Sequence, residues 1–135
     1  MQIGANAIHI RIARPTDNMH EVIRFYRDGF GLKELGSFED HSGFDGTMLG
    51  TPGGSYHLEF THHRGSVAPP APTQENLLVF YLPVRPEWQE AVDRMLANGY
   101  MPVESFNPYW EVNGKTFEDP DGYRVVLQND SWTNS

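Results

Sequence analysis

Hydrophobic and polar positions along the chain form two successive sets of elements. Over 7–14, Ile8, Ile10 and Ile12 alternate with His9, Arg11 and Ala13, the period-two pattern of a strand with one apolar face. Pro15 ends that run, and Thr16 or Asp17 is placed to cap a following helix by accepting a first-turn N–H. Met19, Val22, Ile23 and Tyr26 give that helix an apolar stripe, and Gly29 and Gly31 supply its stop. Strands are predicted over 32–38, 43–49 and 55–62, parted by Gly and Pro turns.

The same order begins again with a strand over 77–84. Pro86 suits the first turn of a second helix, where its missing N–H costs nothing. Val84, Trp88, Val92, Met95 and Leu96 supply its buried stripe, and Gly99 ends it. Strands follow over 101–106, 107–112, 115–118 and 123–128, the last after an Asp119-Pro-Asp-Gly122 turn in which Gly122 permits positive φ. Pro69, Pro70 and Pro72 mark 64–76 as a linker, or else an ordered surface loop. His9 and Leu77, Gly31 and Gly99, Ser37 and Ser105, and Gly46 and Gly114 all stand 68 residues apart. A repeated unit too small to bury its own apolar face packs on its twin.

The expected fold is therefore α+β: two βαβββ modules forming a curved mixed sheet around a cavity. Module one spans residues 6–64, a Pro-rich linker 65–75 and module two 76–129, within a single domain 1–135. The apolar side of each strand should meet a helix, and the mixed side should line the cavity. Strand parity then turns His9, Arg11, His57, Glu59, Leu77, Val79, Tyr81, Arg124, Val126 and Gln128 inward. A one-residue slip in any strand would reverse its whole set.

Composition narrows the chemistry. Lys and Arg number 10 against 18 Asp and Glu, a net charge of −8, so the basic footprint of a nucleic-acid binder is missing. With no cysteine there is no disulfide framework, thiolate metal site or cysteine nucleophile. The start has no basic region leading into an apolar one, and no apolar run approaches the ~20 residues of a membrane span. These features make a cytoplasmic, soluble protein without a membrane partner the expectation. Neither a phosphate loop nor a Gly-x-Ser-x-Gly elbow occurs, since Gly50-Thr-Pro-Gly-Gly54 lacks the lysine and the helix.

Four segments together carry a family resemblance: His9-Ile-Arg-Ile12, Arg24-Phe-Tyr-Arg-Asp-Gly-Phe-Gly-Leu32, His57-Leu-Glu-Phe-Thr61 and Asp119-Pro-Asp-Gly-Tyr-Arg-Val-Val-Leu127. In this order the chain resembles the vicinal oxygen chelate superfamily of glyoxalase I, extradiol dioxygenases and bleomycin-resistance proteins. The resemblance implies a metal ligand on the first and last strand of each unit. Carried over, it assigns His9 and Glu59 in unit one, but Leu77 and Val126 in unit two. Two ligands fall short of the three or more of an ordinary catalytic site. It also implies a homodimer.

Two functions stay open. One is a protein that binds a small organic ligand in an apolar and aromatic cavity without a cofactor, through Arg11, His57, Leu77, Tyr81, Tyr109, Trp110, Arg124 and Val126. The other is a lyase, isomerase or dioxygenase that uses a divalent metal on His9 and Glu59, with His57 or substrate completing the shell and Glu59 as the tentative catalytic base. Glu59 could equally do no more than satisfy Arg11. His9 reads either as a ligand or as a histidine bonded to a neighbour, and His57 as a ligand or a surface residue. His20 and His41 are expected in solvent, and His62 and His63 at the surface or behind the ligand shell, with a ligand role only if the strand end curls inward.

Overall fold

The computed structural model describes residues 3–134. The chain divides into two compact units, Met1–Pro69 and Pro70–Ser135. Unit one opens with a short helix α1 (Ile3–Asn6), then β1 (Ile10–Pro15), α2 (Met19–Ile23), a π-helical extension (Arg24–Gly29), β2 (Lys33–His41), β3 (Phe44–Gly50) and β4 (Tyr56–His63). Its four strands lie in the order β1-β4-β3-β2, with β1 parallel to β4 and the other pairs antiparallel.

Unit two holds β5 (Leu77–Tyr81), α3 (Arg85–Ala97), α4 (Tyr109–Val112), β6 (Gly114–Glu118) and β7 (Arg124–Gln128). Here the order is β5-β7-β6, β5 parallel and β6 antiparallel to β7. Two mixed sheets with a few helices make the α+β class expected of the repeat.

In unit one the helix packs on β4. Leu58 and Phe60 are buried beneath it, with Tyr26 stacked on Phe60 at 5.1 Å between ring centroids. The π turn accounts for a core residue that the 3.6-residue stripe missed. Phe30 N–H donates to the Phe25 carbonyl five residues back, and this wider turn buries Phe25 and Tyr26 side by side. β1 is covered less fully. Ile8 ahead of it and Ile10 at its start are 91% and 59% exposed while Ile12 is half-buried, so the apolar side of this edge strand is partly open where the alternation predicted burial.

The first strand also starts later than predicted, leaving 7–9 ahead of it, and α1 was not anticipated. Neither expected cap operates. Thr16 is buried and its hydroxyl accepts the Asn18 N–H at 2.9 Å, while Asp17 accepts the Ala68 N–H. Asn18 occupies the cap position without a side-chain bond.

In unit two α3 packs on β7 through Trp88, Val92 and Met95, whereas Val84 and Leu96 of the predicted stripe are exposed. Trp88 Nε1–H donates to the Leu127 carbonyl at 2.8 Å, so the ring is buried with its one polar atom satisfied. The strands predicted over 101–106 and 107–112 do not form. Only a bridge between Val103 and Thr116 marks the first, and α4 replaces the second. Asn107-Pro108 explains the change: the Asn107 side chain accepts the Tyr109 N–H at 3.0 Å, and Pro108 cannot donate to a ladder. The Asp119–Gly122 turn forms as read, with Gly122 at φ 88° and Asp119 Oδ1 accepting the N–H of Asp121 and Tyr123. The Pro-rich segment is ordered at Ala71, whose N–H donates to the Asp121 carbonyl.

Gly114 shows how closely α4 meets β6. A Cβ there would stand 2.6 Å from both the Trp110 carbonyl oxygen and Gln128 Oε1. Gly114→Ala should therefore cost about 1–3 kcal/mol, whereas Gly4→Ala, with nothing within 4 Å of its Cβ, should change stability by less than about 0.5 kcal/mol. Urea unfolding of both variants measures the contrast.

Candidate functional site

The parallel register of β1 and β4 builds the polar row of unit one. Arg11 lies beside His57 and Ala13 beside Glu59, and period-two alternation puts His57 and Glu59 on the face opposite Leu58 and Phe60. His9, just ahead of β1, reaches the same row. Its Nε2 stands 2.6 Å from His57 Nδ1, with the two rings 4.9 Å apart. Arg11 Nε donates to His57 Nε2 at 2.9 Å, and its Nη1 lies 3.3 Å from Glu59 Oε2.

This chain of bonds determines where the protons sit. A guanidinium only donates, so His57 Nε2 accepts. The single proton of neutral His57 is then on Nδ1 and is given to His9 Nε2, which leaves the proton of His9 on Nδ1. Loss of water, the Arg11 charge and His9 all push the His57 pKa below its ordinary value, against a weaker opposing pull from Glu59.

A divalent ion does not fit this donor set. His57 has no lone pair left, the His9 lone pair faces a ring N–H, and a guanidinium stands between His57 and Glu59. Among the described residues no three His, Asp or Glu side chains come together as a metal shell. Strand parity places His9 and His57 on one face and leaves a neighbour-bonded His9 as one of two readings; the structure supplies the partner, His57.

Of the residues singled out in unit two, Leu77, Tyr81, Arg124 and Val126 share one sheet face while Tyr109 and Trp110 lie on α4, and they are differently engaged. Arg124 is buried, with Nη1 donating to the Glu104 carbonyl at 2.9 Å and Nε 3.3 Å from Glu118. Val126 is fully buried. Leu77, Trp110 and Arg124 line a small void of about 10 Å³, with Thr116 and Ser105 at its wall. That volume holds about one water molecule at most. Tyr109 is exposed and meets Trp110 edge-on at 4.9 Å, and Tyr81 is exposed with its ring 6.4 Å from Trp132. Glu111 fastens the loop before α4. Its carboxylate accepts the Ser105 N–H at 2.6 Å, a bond that lowers its pKa.

His62, expected at the surface or behind the ligand shell, is half-buried on the helix side of β4, 3.2 Å from the Thr16 carbonyl and 3.3 Å from Asp17. His63 stacks on Phe44 at 4.5 Å and bonds the Ser66 hydroxyl.

The YycE-like N-terminal domain matches residues 10–61 and the YycE-like C-terminal domain residues 75–129. Protein YycE of Bacillus subtilis (strain 168) is 49% identical over 123 residues, which cover 91% of this chain and 88% of that protein. The chain belongs to the YycE-like family. A crystal structure of the B. subtilis YycE protein, described there as a glyoxalase/fosfomycin-resistance candidate, superposes with a TM-score of 0.86 at 47% identity, covering 96% of this chain and 94% of that one. Two more distant structures share the fold. The antibiotic-binding protein TnmS3 of Streptomyces gives a TM-score of 0.62 at 17% identity, with 87% and 91% of the chains covered. Glyoxalase I of Leishmania major gives 0.65 at 20%, with 93% and 86% covered. The vicinal oxygen chelate resemblance read from the four segments is thus met in the fold.

The depressed His57 pKa carries a sign. The unfolded imidazole, near 6.5, takes its proton before the folded one does, so acid favours unfolding. Stability linked to His57 should be intact above pH ~6.5 and fall as the pH drops through the folded value. Urea midpoints between pH 7.5 and 5 should decline less in His57→Gln than in the parent. Equal declines would remove this linkage.

Proposed function

We propose that this YycE-like chain binds a small organic ligand and does so without a metal at His9 and Glu59. The observation that carries the reading is the closed row His9–His57–Arg11–Glu59, whose imidazole lone pairs are taken up by N–H donors. Such a row can hydrogen-bond and orient a ligand, through the outward N–H of His9 and the remaining donors of Arg11. In unit one ligand contacts are assigned to Arg11 and His57; in unit two Leu77, Tyr81, Tyr109 and Trp110 are the accessible candidates, Val126 being fully buried and Arg124 held by the Glu104 carbonyl and Glu118. Apolar and aromatic side chains with a few polar groups are the composition of small-molecule sites. The antibiotic-binding name of TnmS3 and the resistance description of the B. subtilis structure point the same way. The protein is proposed to act in the cytoplasm as a homodimer. Among the described residues no helix is long and apolar enough to cross a membrane.

Native mass spectrometry after incubation with Zn²⁺, Mn²⁺ or Ni²⁺ should show no retained ion in the parent chain. In Arg11→Ala, where His57 Nε2 loses its donor and Glu59 its cation, Zn²⁺ affinity should rise by about tenfold or more. One tightly held ion per parent chain, with a turnover lost on chelation, would overturn the reading in favour of a metal-dependent lyase, isomerase or dioxygenase.

A further inference from the structure

Unit one holds a second concavity, on the other face of the same sheet. Register places Asp45 beside His62 and Thr47 beside both Phe60 and Ser37, so Asp45, Thr47, Phe60 and His62 share the face on which the helix packs. The helix lies over β4 and leaves the β3–β2 side of that face open. Between the two is a cavity of about 560 Å³, within the size range of small-molecule sites.

Its chemistry is one-sided. Asp17, Glu34, Glu39 and Asp45 line it against one guanidinium, that of Arg64, and the imidazoles of His20 and His62, the second of which lies 3.3 Å from Asp17. Arg64 is already spent. Its Nη2 and Nε bond the two oxygens of Asp45 at 2.8 and 3.2 Å, and its Nη1 lies 3.5 Å from Asp40. Glu34 and Glu39 form no ion pair at contact distance among the described residues, though Glu34 acts at longer range on Arg27 and Glu39 on Arg64. Met19 and Ile23 of α2 give the wall an apolar part. Thr47, only 5% exposed, lines the cavity, and its hydroxyl has no protein hydrogen-bond partner among the described residues. Its oxygen opens on the cavity, where a ligand or water can complete it.

We propose that this cavity binds a small organic cation, a protonated amine on an apolar carbon skeleton. The ammonium donates to the Thr47 hydroxyl and to the Glu39 carboxylate, Glu34 farther along β2 adds its field, and the carbon chain lies on Met19 and Ile23. An inorganic ion is the poorer occupant. The space far exceeds an ion, and no three His, Asp or Glu side chains among the described residues form a metal shell. The surplus negative charge disfavours an anion. The site is separate from the His9–Glu59 row, and neither depends on the other's ligand.

The test is a ¹H–¹⁵N correlation titration of the whole chain with hexylamine, with 1-hexanol and hexanoate as neutral and anionic matches. Hexylamine should give saturable shifts at the amides of Met19, Asp45, Gly46 and Thr47, and binding should weaken as salt rises. Glu39→Gln and Thr47→Val should each weaken it about threefold or more. Glu39 is exposed, so its variant keeps the test decisive if Thr47→Val fails to fold. Equal binding of hexanol, shifts centred on His57 and Glu59, or no saturable shift at millimolar amine would each overturn the proposal.

Discussion

Strand β4 lies between β1 and β3 and hydrogen-bonds to both, and its alternation divides unit one into two chemical faces. His57 and Glu59 point one way, Leu58, Phe60 and His62 the other. The helix can cover only the second face, because that is where Leu58 and Phe60 offer buried apolar area. The first face is thereby left to polar groups, and the parallel pairing with β1 brings Arg11 against His57. A shift of one residue in that register would break the row and put Phe60 on the polar side.

An imidazole and a carboxylate on neighbouring strands are good metal ligands in the abstract. Here a guanidinium lies between them and holds both His57 and Glu59. The Arg11–Glu59 pair is partly exposed and contributes little to stability by itself. Its effect is on proton placement, since an obligate donor beside His57 fixes the tautomers of two rings in series.

Much of the fold was legible from the alternation alone. Strands β2, β3, β4 and β7 lie within a few residues of the positions their patterns predicted, and Gly122 takes the positive φ its turn required. The failures have local causes. Asn107 and Pro108 favour a helical turn over a ladder, so α4 stands where a strand was read. A π turn widens the helix period, so Phe25 escaped a stripe drawn at 3.6 residues. Ile8 and Ile10 are apolar yet exposed, since alternation records which residues share a face but not whether anything covers it. The candidate site was legible as a row, His9, Arg11, His57 and Glu59, though not as a bonded chain.

The sequence by itself determined the repeat, the two sheets and the membership of each strand face, because these depend on periods of 2 and 3.6 that act along the chain. It determined too that unit two carries leucine and valine where unit one carries histidine and glutamate. Only the tertiary structure decided what the polar residues do to one another. The 2.6 Å contact of His9 with His57, the capture of Glu59 by Arg11 and the acidic cavity behind β3 all join residues on different strands and helices. Such contacts depend on register and side-chain reach across the sheet, which no one-dimensional period contains.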